Sequence, residues 1–179
     1  MARTFSRQWL IAIVGLGALL LSTTAHSATD GTLGLTSTGT TDISIIKGDT
    51  AQITGFVDIV LAPWTTGDPA PAGSSPACVY TSTGTYQMTA TSANGVGTTF
   101  RLTDGTNFIN YGVQWNDGVG GFAATSNGTP LAGLTGDAVS TTCGGATPAT
   151  VQVNITVGQM NAAPTGSYGD TLTVLIAPQ

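Results

Sequence analysis

Residues 149–157 read ATVQVNITV and residues 171–177 read TLTVLIA. Every second position is apolar: Val151, Val153, Ile155 and Val157 in the first, Leu172, Val174 and Ile176 in the second. A period of two puts one face of an extended chain into a core and the other into water, which marks half-buried strands. The same alternation recurs upstream in Tyr86, Met88 and Ala90, and again in Phe100 and Leu102. Asp104-Gly105 then reads as a hairpin turn of the primed kind, with Phe108 to Trp115 returning antiparallel. Asn94-Gly95 is a further turn signal. Gln52 to Leu61 (QITGFVDIVL) reads as a strand with Ile53 and Val57 on one side and Phe56 on the other. Cys78 to Thr81 is extended, and short strands are expected around Leu131–Leu134 and Ala138–Thr142. Residues 62–76 carry Pro63, Pro69, Pro71 and Pro76 and read as a long loop. No segment beyond residue 27 has helical periodicity. Seven or more short strands with regular turns predict an all-β antiparallel sandwich.

Composition agrees. The chain has 179 residues, of which 25 are Gly and only 7% are charged, against roughly 25% charged in an ordinary soluble domain. All nine acids are Asp. Without Glu, and with few Lys or Arg, most good surface helix formers are missing; Thr, Ser, Val and Gly favour strands and turns. The apolar share, 41%, is enough for a buried core. With four basic residues in all, the chain cannot neutralise a run of phosphates, which excludes an ordinary nucleic-acid binder.

The N-terminus has the pattern of an export signal. Arg3 and Arg7 precede an apolar run from Trp9 to Leu21, and Ala25-His26-Ser27 offers small residues at a cleavage site. The run is too short to span a bilayer, which needs about 20 residues. Cleavage is expected after Ser27, or after Ala28. The remainder keeps Lys47 and Arg101 as its cations and has no His. Two Cys in an exported chain most simply pair, Cys78 with Cys143. Closing a loop of that length contributes roughly 4 kcal/mol in a chain-entropy account.

Residues 31–47, GTLGLTSTGTTDISIIK, alternate as well, with Gly31, Leu33, Leu35, Ser37, Gly39, Thr41, Ile43 and Ile45 on one face and mostly Thr, Ser, Gly and Asp on the other. They read as one or two half-buried strands.

The ending AAPTGSYGDTLTVLIAPQ, residues 162–179, resembles the C-termini of chaperone–usher pilin subunits. The resemblance is to the archaic type with spore coat protein U-like domains and to the related alpha-type colonisation pilins. It is carried by Gly166, Tyr168, Asp170, Thr171, Leu172, Val174 and Ile176, by the alternating segment after the signal, and by the aromatic strand Tyr111 to Trp115. It implies an immunoglobulin-like sandwich that lacks one strand and is completed by donor-strand exchange. On that footing residues 1–27 are a signal peptide, 28–47 a donor-strand segment and 48–179 the pilin sandwich. The donor residues would be Leu33, Leu35, Gly39, Ile43 and Ile45, with the half nearer Ile43 and Ile45 alternating more strongly. Tyr168, Leu172, Val174 and Ile176 would border the groove. The implied partners are identical or related pilin subunits in a homopolymeric fibre, a periplasmic chaperone and an outer-membrane usher. The implied location is a pilus on the cell surface, serving adhesion and biofilm formation. A tip adhesin would carry a receptor domain as well, and residues 28–179 have length for one domain, so a shaft subunit is expected.

Enzymatic chemistry is poorly supported. Nucleophilic triads normally need a His base. The Asp residues stand beside Gly, Pro or Thr, as in Asp104-Gly105, Asp117-Gly118 and Asp68-Pro69, where turn chemistry accounts for them. No nucleotide fingerprint or calcium loop is present, so no cofactor, metal or small-molecule substrate is expected. The alternative is a secreted, monomeric sandwich with a complete fold that binds carbohydrate or another surface ligand. Trp64, after Pro63 at the mouth of the Pro-rich loop, would be its contact residue; Trp115, on a strand, is expected in the core.

Overall fold

The computed structural model describes residues 28–179; the expected signal peptide and its cleavage site lie outside the described residues. The chain divides into two units, up to Ile46 and from Lys47 onward.

In the first unit residues 28–46 are exposed throughout. Their one regular feature is an antiparallel bridge between Thr29 and Thr40, each N–H donating to the other's carbonyl at 3.0 Å. The half-buried strands expected over residues 31–47 are therefore not formed. Alternation gives a segment a face to bury, but a strand also needs a partner.

The second unit is built from nine strands and a short helix. They are β1 (Ala51–Thr54), β2 (Ala72–Thr81), β3 (Thr85–Ser92), β4 (Phe100–Thr103), β5 (Phe108–Asn116), β6 (Ala123–Thr125), β7 (Pro130–Thr135), β8 (Ala149–Asn154), α1 (Val157–Ala162) and β9 (Leu172–Pro178). One sheet has the order β1-β2-β8-β5-β4, with β6 also paired to β5; the other has the order β7-β3-β9. All strand pairings are antiparallel. The core joins Ala77 and Val79 of β2, Val151 and Val153 of β8, and Val113 and Trp115 of β5 to Tyr86, Met88 and Ala90 of β3 and Leu134 of β7. Inside it the Trp115 Nε1–H donates to Tyr86 Oη at 2.9 Å, tying one sheet to the other. The all-β sandwich is as the sequence predicts.

Several local expectations change. The strand expected over Gln52–Leu61 is laddered only over Ala51–Thr54. The physical reason is the residue it would meet next. Thr54 pairs with Cys78, so Phe56 would face Pro76, which has no N–H to give. Between them Gly55 turns to φ +87°, a conformation that suits glycine. The Pro-rich loop is shorter than 62–76, because β2 already starts at Ala72 and accommodates Pro76 on the edge that β8 does not use. Asp104-Gly105 belongs to a four-residue loop rather than a two-residue primed turn, because the Asp104 carboxylate accepts from the N–H groups of Thr106 (2.8 Å) and Asn107 (2.6 Å). Ala138–Thr142 is not a strand; it leads by turns into a 3-10 turn at Cys143–Gly145. Val157 starts α1 instead of extending β8. Its six residues are too few to display a helical period, and Thr156 caps it by accepting from the Gln159 N–H. Cys78 and Cys143 are disulfide-bonded, with Cα atoms 5.8 Å apart.

Candidate functional site: an open cleft beside the last strand

Once β1 has stopped at Thr54, residues 55–61 run past β2 without a ladder. Their contacts are side-chain ones: the Val57 N–H donates to Ser75 Oγ at 2.8 Å, and Ile59 and Leu61 pack beside Gly73. On the opposite side β9 pairs with β3 alone. Between the two lies an open cleft of about 360 Å³. One wall is Phe56, Ile59 and Leu61. The other is Leu172 and Val174 of β9. The floor is the inner face of the larger sheet, with Val151, Val153, Ile155, Leu102 and Tyr111.

The β9 wall offers more than side chains. The Ala93 N–H donates to the Thr171 carbonyl and the Gln179 N–H to the Thr85 carbonyl, both at 3.0 Å. In an antiparallel pair such bonds fall on alternate residues. The odd-numbered residues of β9 thus face β3, and Leu172, Val174 and Ile176 turn their N–H and C=O groups to the other edge. Among the described residues no strand pairs with that edge. Strand edges of this kind template the pairing of another chain.

One end of the cleft is polar. Asp170 lines it and accepts from Tyr111 Oη (2.6 Å), Asn94 Nδ2 (2.9 Å) and the Asn94 N–H (3.1 Å). Burial, and then the Asp170 carboxylate, push the Tyr111 hydroxyl well above the usual phenol range. The segment before Asp170 is fixed by a bridge between Thr103 and Gly169 and by Tyr168, whose Oη donates to the Pro164 carbonyl at 2.9 Å.

Of the residues singled out in the sequence, Leu172 and Val174 line the cleft. Ile176 and Tyr168 pack on the core without lining it. Leu33, Leu35, Ile43 and Ile45 are exposed, the last two 92% each, and Gly39 stands beside the Thr29–Thr40 bridge. Trp64 is half-buried, its Nε1–H donating to the Pro69 carbonyl at 3.0 Å across its own loop. Sequence reading missed the Phe56–Leu61 wall and the Asp170–Tyr111–Asn94 cluster. The one signal for the cluster is an Asp immediately ahead of an alternating apolar strand.

The Asp104 and Asp117 carboxylates serve the backbone around their turns. Asp104 is held down to about 2, chiefly by Asn107 and then Thr106. Asp117 accepts from the N–H groups of Val119, Gly120 and Thr135. Among the described residues no three His, Cys, Asp or Glu side chains gather where a metal could be held, and no helix is long and apolar enough to cross a membrane.

No protein-family model matches the sequence, and no curated protein matches it. Among solved structures, the chain is similar to a chain of a chaperone–tip adhesin complex described as vital for synergistic activation of CFA/I fimbriae biogenesis. The identity is 18% and the TM-score 0.49, over 72% of this chain and 42% of that one.

Proposed function

We propose that the protein is a structural pilin that polymerises by donor-strand exchange into a surface fibre. The observation that carries this reading is the cleft: an apolar trough whose side is an unpaired strand edge is the shape an added strand fills. Main-chain bonds to Leu172, Val174 and Ile176 would hold the strand, and alternate side chains would enter the trough. Residues 28–47 supply a segment of the required chemistry, with Leu33, Leu35, Ile43 and Ile45 at alternate positions of one face and no Pro. Residues 1–27 would direct export and be removed. A periplasmic chaperone would cover the cleft first, and at an outer-membrane usher the segment of the next subunit would replace it. The C-terminal likeness to archaic and alpha-type pilins supports the same reading. The role is structural, serving adhesion and biofilm formation, with no catalysis.

The test is deletion of residues 28–46 behind an intact export signal. Wild-type cells are expected to show fibres by negative-stain microscopy and a heat-sensitive ladder on unboiled denaturing gels; the deletion should give monomer alone. A wild-type chain that is a soluble, cooperatively folded monomer with no partner would overturn the reading.

A further inference from the structure

The occupant of the cleft can be specified further, on the footing of the proposed function. We propose that the cleft takes residues 41–47 of a second copy, antiparallel to β9. Ile45 then stands opposite Leu172, Ile43 opposite Val174, and Lys47 opposite Asp170. An ion pair at the cleft's polar end sets the register.

Parity is the first argument. In β9 Leu172 and Val174 both line the trough and carry free backbone groups. An antiparallel partner must present residues of one parity to them, and Ile43, Ile45 and Lys47 share a parity. A slip by one residue would turn Ile43 and Ile45 to water and leave Ile46 alone facing the trough, with Ser44 beside it.

Charge then separates the registers that parity allows. The cleft is lined by two carboxylates, Asp58 and Asp170, and by no cation. Residues 28–179 contain only two cations. Arg101 is committed elsewhere, its Nε–H donating to the Asn94 carbonyl at 2.8 Å and its guanidinium 4.2 Å from the Phe108 ring centre. Lys47 is exposed and follows the Ile43–Ile46 run. Asp170 is held in place by Tyr111 and Asn94, so an arriving ammonium meets a fixed acceptor. Sliding the strand by two residues one way sets Lys47 against Leu172, a charge against an apolar wall. Sliding it the other way sets Ile45 on the carboxylate. The Leu33–Leu35 half in the equivalent register brings Ser37 to Asp170, with no charge to pair. The chosen register also puts small Thr41 opposite Ile176 and Gly39 opposite Pro178.

Wild-type fibres of the full chain, treated with a zero-length carbodiimide, should yield dimers that survive boiling. Mass spectrometry should find Lys47 joined to Asp170. Lys47→Gln should remove that product and hasten fibre dissociation in detergent on the order of tenfold or more. Lys47 is exposed, so this variant leaves the sandwich intact. Fibres that lack the Lys47–Asp170 link, that join Lys47 to Asp58, or that dissociate unchanged in Lys47→Gln would overturn the register and leave polymerisation standing. So would loss of the ladder on deleting residues 31–36 but not 41–46. A wild-type chain that forms no ladder at all would overturn the proposed function itself.

Discussion

Two buried tyrosines hold the interior by their hydroxyls. Tyr86 and Trp115 are wholly buried, and the phenol oxygen accepts from the indole N–H. In Tyr86→Phe the Trp115 Nε1–H is left buried without that acceptor, which costs about 1–3 kcal/mol. Urea unfolding should show the midpoint falling with an unchanged slope. Burial also raises the Tyr86 hydroxyl from 10 to about 12, and raises Tyr111 in the same direction. A folded-state pKa above the unfolded one means that the folded form holds its proton more tightly. That contribution is complete below the unfolded value of 10 and is lost as pH rises through about 12. Tyrosinate absorbance and circular dichroism should therefore change together in that window, and in Tyr86→Phe one fewer tyrosine should titrate there.

At the scale of elements, Gly73 of β2 is where the wall of the cleft meets the sheet. A Cβ there would fall 2.6 Å from Ile59 Cγ2 and 2.9 Å from Leu61 Cδ2. Gly73→Val should push that wall outward and destabilise by roughly 1–3 kcal/mol, with the shift visible in the methyl resonances of Ile59 and Leu61. The disulfide closes a separation of 65 residues between β2 and the 3-10 turn, so Cys78→Ser with Cys143→Ser should cost roughly 2–4 kcal/mol. Chemical denaturation with and without reductant checks this, since wild type under reductant should match the double variant. The strands of the core were legible because their residues alternate and find partners: Tyr86, Met88 and Ala90 in β3, Ile109 to Trp115 in β5, Val151 and Val153 in β8. The alternation of β9 was equally legible, but nothing in its own residues says that only one of its edges is used. The cleft was illegible for a related reason. Whether Phe56 to Leu61 continue a strand depends on Pro76, twenty residues away in the chain and adjacent in the sheet. Local pattern cannot report on a distant proline. Residues 31–46 make the converse point, since Leu33 and Leu35, and again Ile43 and Ile45, alternate as Val151 and Val153 do and yet form no strand.

For the molecule as a whole, the second sheet joins parts of the chain far apart in sequence, with residues 86–92 of β3 pairing with 172–178 of β9. Such nonlocal pairing slows folding to the range of milliseconds to seconds. It also leaves the apolar interior exposed in the interval, a state that favours aggregation. On the proposed function the folded monomer still has an empty trough. A synthetic peptide of residues 39–47 should bind the monomer and stabilise it by about 2.7 kcal/mol at one hundred times its dissociation constant. A thermal scan against peptide concentration should show the unfolding temperature climbing, while a scrambled peptide leaves it unchanged.

On the proposed function the free edge of β9 would accept a strand by its backbone and by two or three side chains, and none of these features records whether the strand is tethered to a folded domain. A loose peptide of the right alternation is thus a chain terminator. It fills one trough and offers no trough of its own. Growth at that end stops, and the length distribution of the polymer becomes a measure of how much stopper was present.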